Sequence, residues 1–163
     1  MEERKKWVET LQSFQNPKTG LFTEPTHHYI HTTAHCAAAL ELFDADCKYP
    51  MYDLLPYAEI EGLYTLLEGL NWKGDPWSQS HQGAGIYAAL VLSDAVDSKW
   101  QEAYFEWLRQ EADPKTGLWR KGCINSGAPV FHHMAGTFHY LFNQEYAKQP
   151  MPYPERLIDT MLW

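Results

Sequence analysis

One kind of hydrophobic pattern in the chain repeats at intervals of three and four residues. In its first occurrence Trp7, Leu11 and Phe14 fall on one side of a helix, and polar residues fill the other side. The spacing returns twice further along the chain. We therefore expect amphipathic helices that bury one face each. Their predicted ranges are 3–14, 53–70 and 98–111.

A second kind of stretch is apolar on almost every side and rich in alanine and glycine. Examples are AHCAAALEL and GAGIYAALVL. A helix that is apolar all round is buried all round, and its small residues let neighbouring helices approach closely. We predict such helices over 32–44, 82–94 and 133–146. Because they alternate with the amphipathic helices, the pattern predicts an inner and an outer layer.

The two kinds of helix belong to a repeat of about fifty residues, a period typical of stacked helical hairpins. Residues 31–45, HTTAHCAAALELFDA, return at 81–95 as HQGAGIYAALVLSDA, and HHMAGTFHYLFN at 132–143 is a weaker third copy. Independently, the turn sequence NPKTGLF at 16–22 returns as DPKTGLW at 113–119. The predicted repeats are 1–47, 48–97 and 98–147, with a partial fourth unit over 148–163.

These repeats predict an all-α fold in which α/α hairpins form an arc of an α/α toroid, within a single domain over 1–163. The last segment, PERLIDTMLW, begins a fourth outer helix, which gives about three and a half hairpins. That number is too small to close a ring. Two interpretations stay open: the chain is a fragment of a longer protein, or a homodimer completes the ring.

The stretch GLFTEPTHHYIHTTAHCAAALELF at 20–43 resembles the repeat of the α/α-toroid superfamily. That superfamily contains the prenyltransferase β subunits, the squalene cyclases, the six-hairpin glycosidases and the polysaccharide lyases. The resemblance implies the toroid fold and a site in its central cavity, without selecting one activity. Isoprenoid chemistry is disfavoured, because Asp46 and Cys47 are adjacent rather than spaced as zinc ligands, and Asp44 and Asp46 follow the wrong end of an inner helix.

Composition and charge narrow the classes of partner. The chain has 163 residues, of which 45% are hydrophobic, and a formal net charge of −8. It is therefore typical of a globular protein without a basic surface for nucleic acid or an anionic membrane. No apolar run approaches a membrane span and no secretory signal is visible, so we expect a cytoplasmic protein. The three cysteines fit no metal or disulfide spacing, and we predict no cofactor and no metal site.

The repeats also indicate where chemistry would lie. His31, His81 and His132 each stand at the predicted start of an inner helix, where helix N-termini would surround one mouth of a central cavity. Their partial positive charge favours an anionic small molecule, and aromatic and imidazole side chains suit an oligosaccharide. We predict catalytic roles for His28, Asp75, His81 and His132. We predict ligand-binding roles for Tyr29, His31, Trp77, Ser80 and His133.

Structural roles are open for the same histidines. A histidine at each helix start can hold the preceding loop by a hydrogen bond, and His35 and His139 are interpreted as core residues. The pair His31 and His35, four residues apart, is a weak zinc signal because no glutamate lies between them. His27 and His28 form a pair at a loop end, with structural and functional roles equally open.

The leading functional hypothesis is a carbohydrate-active enzyme, or part of one, that works by hydrolysis or elimination. Hydrolysis would need two carboxyl groups, for which Glu24 and Asp75 are the candidates near the loops. The alternative is a non-catalytic α-hairpin module that binds a ligand or a protein on its inner surface. Isoprenoid chemistry ranks below both.

Overall fold

All the regular secondary structure in the described part of the chain is helical, which confirms the predicted all-α fold. The structure is a computed structural model that describes residues 2–125 and 127–162. Met1, Ser126 and Trp163, which the predicted domain includes, lie outside the described residues. The helices are α1 (Glu2–Ser13), α2 (Tyr29–Glu41), a 3-10 helix (Tyr52–Ala58), α3 (Ile60–Gly69), α4 (Pro76–Leu92), α5 (Ser98–Glu111), α6 (Val130–Tyr146) and α7 (Pro154–Leu162).

The three alanine- and glycine-rich helices form an inner layer, in which α4 packs between α2 and α6. Helices α4 and α6 run in the same direction, because Ser80 contacts His139 and, about one turn further along both helices, Ala84 contacts Asn143. Outside this layer α1 lies against α2, and α5 lies against α3 and α4. The alternation of inner and outer helices follows the prediction, whereas closure into a ring, by more repeats or by a second copy, stays a prediction.

Large aromatic side chains fill the space between the two layers. Trp72, Trp119 and Tyr140 are almost completely buried. Trp72 donates its indole N–H to the carbonyl oxygen of Leu67 in α3 at 3.1 Å, and Trp119 donates to that of Leu108 in α5 at 2.8 Å. Each tryptophan thus satisfies a carbonyl near the end of the outer helix that precedes it. The same hydrogen bond therefore recurs at the end of the outer helix in the second and third repeats.

The repeated turn sequence has the same conformation in both of its copies. Asn16 and Asp113 each accept a hydrogen bond, at 2.8 Å, from the backbone N–H two residues further on. Gly20 and Gly117 then adopt positive φ angles of 74° and 73°. Only glycine adopts this conformation without strain, so the recurring Lys-Thr-Gly sequence encodes one chain reversal at two places in the fold.

The inner helices begin earlier than the sequence predicts, at residues 29, 76 and 130 rather than 32, 82 and 133. Two side chains explain the early starts of α2 and α4. His28 accepts a hydrogen bond at Nδ1 from the N–H of Ile30, and Asp75 accepts one from the N–H of Ser78, both at 3.3 Å. Each side chain satisfies an N–H group that a helix start leaves without a partner.

The predicted position of the repeated histidines at helix starts is confirmed for His31 and His132 and wrong for His81. His31 and His132 lie within the first turn of α2 and α6. His81 lies in the second turn of α4, because this helix begins at Pro76, whose fixed φ angle suits the first helical position. The free N–H groups at the start of α4 therefore lie about one helical turn before His81.

One of the predicted outer helices is interrupted. The segment 53–70 divides into the 3-10 helix and α3, with Glu59 between them in an extended conformation. Pro56 lies inside the 3-10 helix, where its missing N–H cannot continue an α-helical ladder. The outer helices predicted over 3–14 and 98–111 are confirmed as α1 and α5, and the final segment forms α7.

Candidate functional site

The inner face of the helical array contains a cavity of about 710 Å³, which we call the imidazole cavity. Helices α2, α4 and α6 supply almost all of its wall. The lining residues are His27, His31, Ala34, His35, Ala38, Ala39, Leu42, His81, Ala84, Gly85, Ala88, Phe138, His139, Phe142 and Asn143. The wall thus combines a group of imidazoles with a trough of small and aromatic residues. No aspartate or glutamate is among the described residues that line it.

Five imidazoles meet at one part of this cavity and form what we call the histidine cluster. The rings of His31 and His81 stack with their centroids 4.0 Å apart and their planes inclined by 5°. His35 lies edge-on to His31 at 4.3 Å, His139 lies 4.3 Å from His81, and His27 lies 5.1 Å from His31. The cluster therefore joins side chains from α2, α4, α6 and the loop before α2.

The protonation of His139 follows from its partner Ser80. The Ser80 hydroxyl lies 2.6 Å from the carbonyl oxygen of Trp77, which can only accept a hydrogen bond. Its single proton is used there, so Ser80 Oγ accepts a hydrogen bond from His139 Nδ1 at 2.7 Å. The Nε2 atom of neutral His139 is consequently unprotonated and can accept a proton or a hydrogen bond.

A carboxylate orients His27 at the rim of the cavity. His27 Nδ1 donates to Glu24 Oε1 at 2.7 Å, while Glu24 Oε2 accepts hydrogen bonds from the Thr26 N–H at 2.8 Å and the Thr26 hydroxyl at 2.6 Å. These hydrogen bonds from Thr26 hold the pKa of Glu24 at about 2. Glu24 is therefore ionised at neutral pH. In the neutral form of His27 the hydrogen bond to Glu24 places the proton on Nδ1 and leaves Nε2 unprotonated. A carboxylate paired with an imidazole in this way is typical of a positioned general base.

Three rings of the cluster are neutral at physiological pH. Burial and the neighbouring imidazoles lower the pKa of each of His31, His81 and His139 to about 4. Protonation of one ring would place a charge in a partly desolvated position against other basic rings. At pH 7 these rings therefore act as hydrogen-bond donors and acceptors rather than as cations. This state favours an uncharged polar ligand over the anion that helix N-termini would attract.

Four of the predicted site residues lie outside the imidazole cavity. The rings of Trp77 and His132 contact each other edge-on at 5.6 Å, and Trp77 also contacts Phe131 at 5.5 Å. His133, which follows His132 in sequence, is completely buried, and this burial lowers its pKa. Ser80 is also buried and reaches the cavity only through His139. None of these four is among the residues that line the imidazole cavity.

The three remaining predicted residues lie near helix starts. His28 and Asp75 cap α2 and α4, as described above, and the ring of Tyr29 lies 4.1 Å from that of His28. Tyr29 packs against the hydrophobic core. The structure thus brings together His31 and His81 among the predicted residues, and the others lie outside the lining of the cavity.

The interpretation of His35 and His139 as core residues is wrong for His35. His35 is exposed and lines the cavity, and His139 is half-buried and lines it as well. For His35 the spacing contains a signal that would have placed it, because His35 follows His31 by four residues and residues at this interval share a helix face. For His139 no such signal exists, because His132, seven residues earlier, lies outside the cavity lining. His139 reaches the cluster because α6 packs against α4, where it contacts His81.

Among residues 2–125 and 127–162, no group of three or more His, Cys, Asp or Glu side chains converges in the manner of a metal site. The chemistry that the site offers is that of neutral imidazoles, one of them paired with a carboxylate, above an apolar trough. Comparisons of the chain with protein-family models, with curated proteins and with solved structures found no match.

Proposed function

We propose that the imidazole cavity binds a small carbohydrate-class molecule and that His27 acts on it as a general base. The Glu24–His27 pair supports this proposal most directly, because the carboxylate holds Nδ1–H and leaves Nε2 free to accept a proton at the cavity rim. A positioned base of this kind typically contributes about 10²- to 10⁴-fold to a rate. The ring of His27 lies 5.1 Å from that of His31 and 6.3 Å from that of His81, which distinguishes the Glu24–His27 pair from an ordinary surface pair.

The cavity wall suits a sugar in two respects. Hydroxyl groups both donate and accept hydrogen bonds, as neutral imidazoles do, so His31 and His81 can bond a sugar without a net charge on either side. The rings of Phe138 and Phe142 contact each other at 4.7 Å and are more than half exposed on the same inner face. Exposed aromatic rings of this kind stack against the apolar faces of sugar rings.

Elimination is the carbohydrate reaction that this arrangement favours over hydrolysis. Hydrolysis needs two carboxyl groups on either side of the scissile bond. Glu24 is engaged by Thr26 and His27, and the Asp75 carboxylate caps α4. In an elimination His27 Nε2 would take a proton from carbon while the bond from the adjacent carbon to the leaving-group oxygen breaks and the C=C double bond forms. The departing oxygen then takes a proton from the His27 imidazolium, which regenerates the base. The N–H groups of the neutral rings can stabilise the negative charge that forms when the proton leaves.

The proposal is tested with oligosaccharides of methyl-esterified uronates, which are uncharged and whose elimination creates a double bond that absorbs in the ultraviolet. We expect the wild-type chain to produce this absorbance with some member of a panel and H27Q to lose about 10²-fold or more of kcat. H132Q is the matched control, because it changes the same residue type outside the cavity lining, and it should retain wild-type kcat. Absence of turnover across the panel, or equal activity of H27Q and wild type, would contradict the proposal.

A second function, non-catalytic ligand binding, is favoured by the apolar part of the wall. Ala34, Ala38 and Ala88 line the trough together with the two exposed phenylalanines. A module of this kind would bind a hydrophobic fluorescent probe in the trough, and H27Q would not change the affinity. Substitution A38W, which fills the trough, should abolish that binding. H27Q distinguishes the two functions, because catalysis depends on His27 whereas binding of the probe does not.

A further inference from the structure

We propose that His31 and His35 bind a divalent transition-metal ion, such as Zn²⁺, at the open side of the histidine cluster. Their Nε2 atoms face each other at 2.8 Å across one turn of α2. Two ring nitrogens this close can act as a chelating pair, and the four-residue spacing on a helix keeps them near each other. This inference goes beyond the proposed acid–base function and does not depend on it.

A hydrogen bond between the two rings is the alternative account of this contact. If both imidazoles are neutral, one Nε2 carries a proton and donates it to the other. His35 is exposed, however, so water competes for both atoms and the net gain from such a bond is modest. A metal ion would instead use both lone pairs, and neutral imidazole is among the commonest protein ligands of zinc, copper and nickel.

Two rings beside the proposed pair have the outer partners that metal-binding histidines typically have, an oxygen atom that accepts the second ring N–H and fixes the tautomer. Glu24 is that partner for His27 and Ser80 is that partner for His139, so the neutral form of each ring has Nε2 unprotonated. Since no three described side chains converge as ligands, a metal on the pair would keep positions open for water or for a ligand in the cavity.

Zinc titration of the full chain by calorimetry at pH 7 tests this inference. We expect one Zn²⁺ per chain, with H35A weakening binding at least tenfold, equivalent to about 1.4 kcal/mol. H132A, a histidine in the first turn of α6 outside the cavity lining, should bind Zn²⁺ as wild type does. Wild type that binds no zinc at stoichiometric ratio, or H35A that binds as tightly as wild type, would overturn the inference.

Two further measurements identify the side chains that hold the metal. Cys36 is adjacent to His35, so the Co²⁺-loaded protein is tested for a sulfur-to-metal charge-transfer band. The inference expects that band to be absent, and its presence would assign the metal to a cysteine instead. Thermal unfolding in a chelator establishes that H35A is folded, and H31Q should weaken zinc binding as H35A does. Retention of zinc by H27Q, which lacks the proposed base, would separate this site from the acid–base function.

Discussion

His31 and His81 occupy equivalent positions in successive repeats, fifty residues apart in sequence, and their rings stack in the folded protein with centroids 4.0 Å apart. The contact exists because α2 and α4 are neighbours in the inner layer and each presents its histidine on the same face. The repeat of the sequence is thus converted into a pair of imidazoles. His139, from the third repeat, extends the pair through its contact with His81.

The histidine cluster makes stability dependent on pH in a defined direction. The pKa of His81 and of His139 is about 4 in the folded protein, below the value of about 6.5 that histidine has in an unfolded chain. Between these values the unfolded state binds more protons, so the free energy of unfolding is highest above pH 6.5 and falls as the pH is lowered towards 4. Thermal melts in a chelator across this range should show a declining Tm.

A variant without one of the rings tests the origin of this slope. H81Q cannot titrate, so its Tm should fall less than that of wild type between pH 7 and pH 4. Nuclear magnetic resonance titration of the ring protons should also show His139 titrating at a higher pH in H81Q, because the repulsion between protonated His81 and His139 rings, 4.3 Å apart, has been removed. Parallel slopes for the two proteins would show that the acid sensitivity arises elsewhere.

The hydroxyl group of Ser80 determines which nitrogen of His139 carries the proton. In S80A the acceptor for His139 Nδ1–H is removed, and the carbonyl of Trp77 loses its donor. We expect the population of the two His139 tautomers to become mixed, which nitrogen-15 chemical shifts measure directly. S80T, which keeps a hydroxyl, is the control and should retain the wild-type tautomer. A single unchanged tautomer in S80A would contradict the assignment.

The all-α fold and the two layers of helices were predictable because they rest on local signals. Small residues repeat on every side of the inner helices, and the paired turns contain glycine at the position with positive φ. The helix starts were less predictable, because His28 acts as an N-cap through a ring nitrogen, which is not a usual capping group. Sequence spacing alone did not distinguish a histidine cap from a histidine that lines the cavity.

The membership of the candidate site was only partly predictable for a different reason. His31 and His81 were marked by the repeat, but His35 and His139 have no equivalents in all three copies. Their importance depends on how three helices meet, which is a tertiary relationship. The role of Glu24 likewise depends on a loop that turns the carboxylate onto His27, three residues further on. Hydrophobic patterns carry no information about such a polar contact.

The buried amide of Asn143 ties the inner helices together beneath the cavity. It donates to the carbonyl oxygen of Ala84 and to the hydroxyl of Tyr104, both at 2.9 Å. The substitution N143L keeps the branched shape of the side chain but leaves both acceptors without that donor. We expect a loss of about 1–3 kcal/mol in the free energy of unfolding, measured by urea denaturation. Stability within about 0.5 kcal/mol of wild type would show that the amide is not needed for this packing.

Two glycines in α3 provide a matched comparison for the packing of the interrupted outer segment. A Cβ atom on Gly62 would lie 1.9 Å from the carbonyl oxygen of Pro56, whereas a Cβ on Gly69 would meet no atom within 4 Å. G62A must therefore push the 3-10 helix away from α3, and we expect it to destabilise the protein by about 1–3 kcal/mol. G69A should be neutral or stabilising by up to about 1 kcal/mol, because alanine favours the helix and restricts the unfolded chain. Urea denaturation of both variants measures the difference, and equal stabilities would mean that Pro56 and Gly62 are not in close contact.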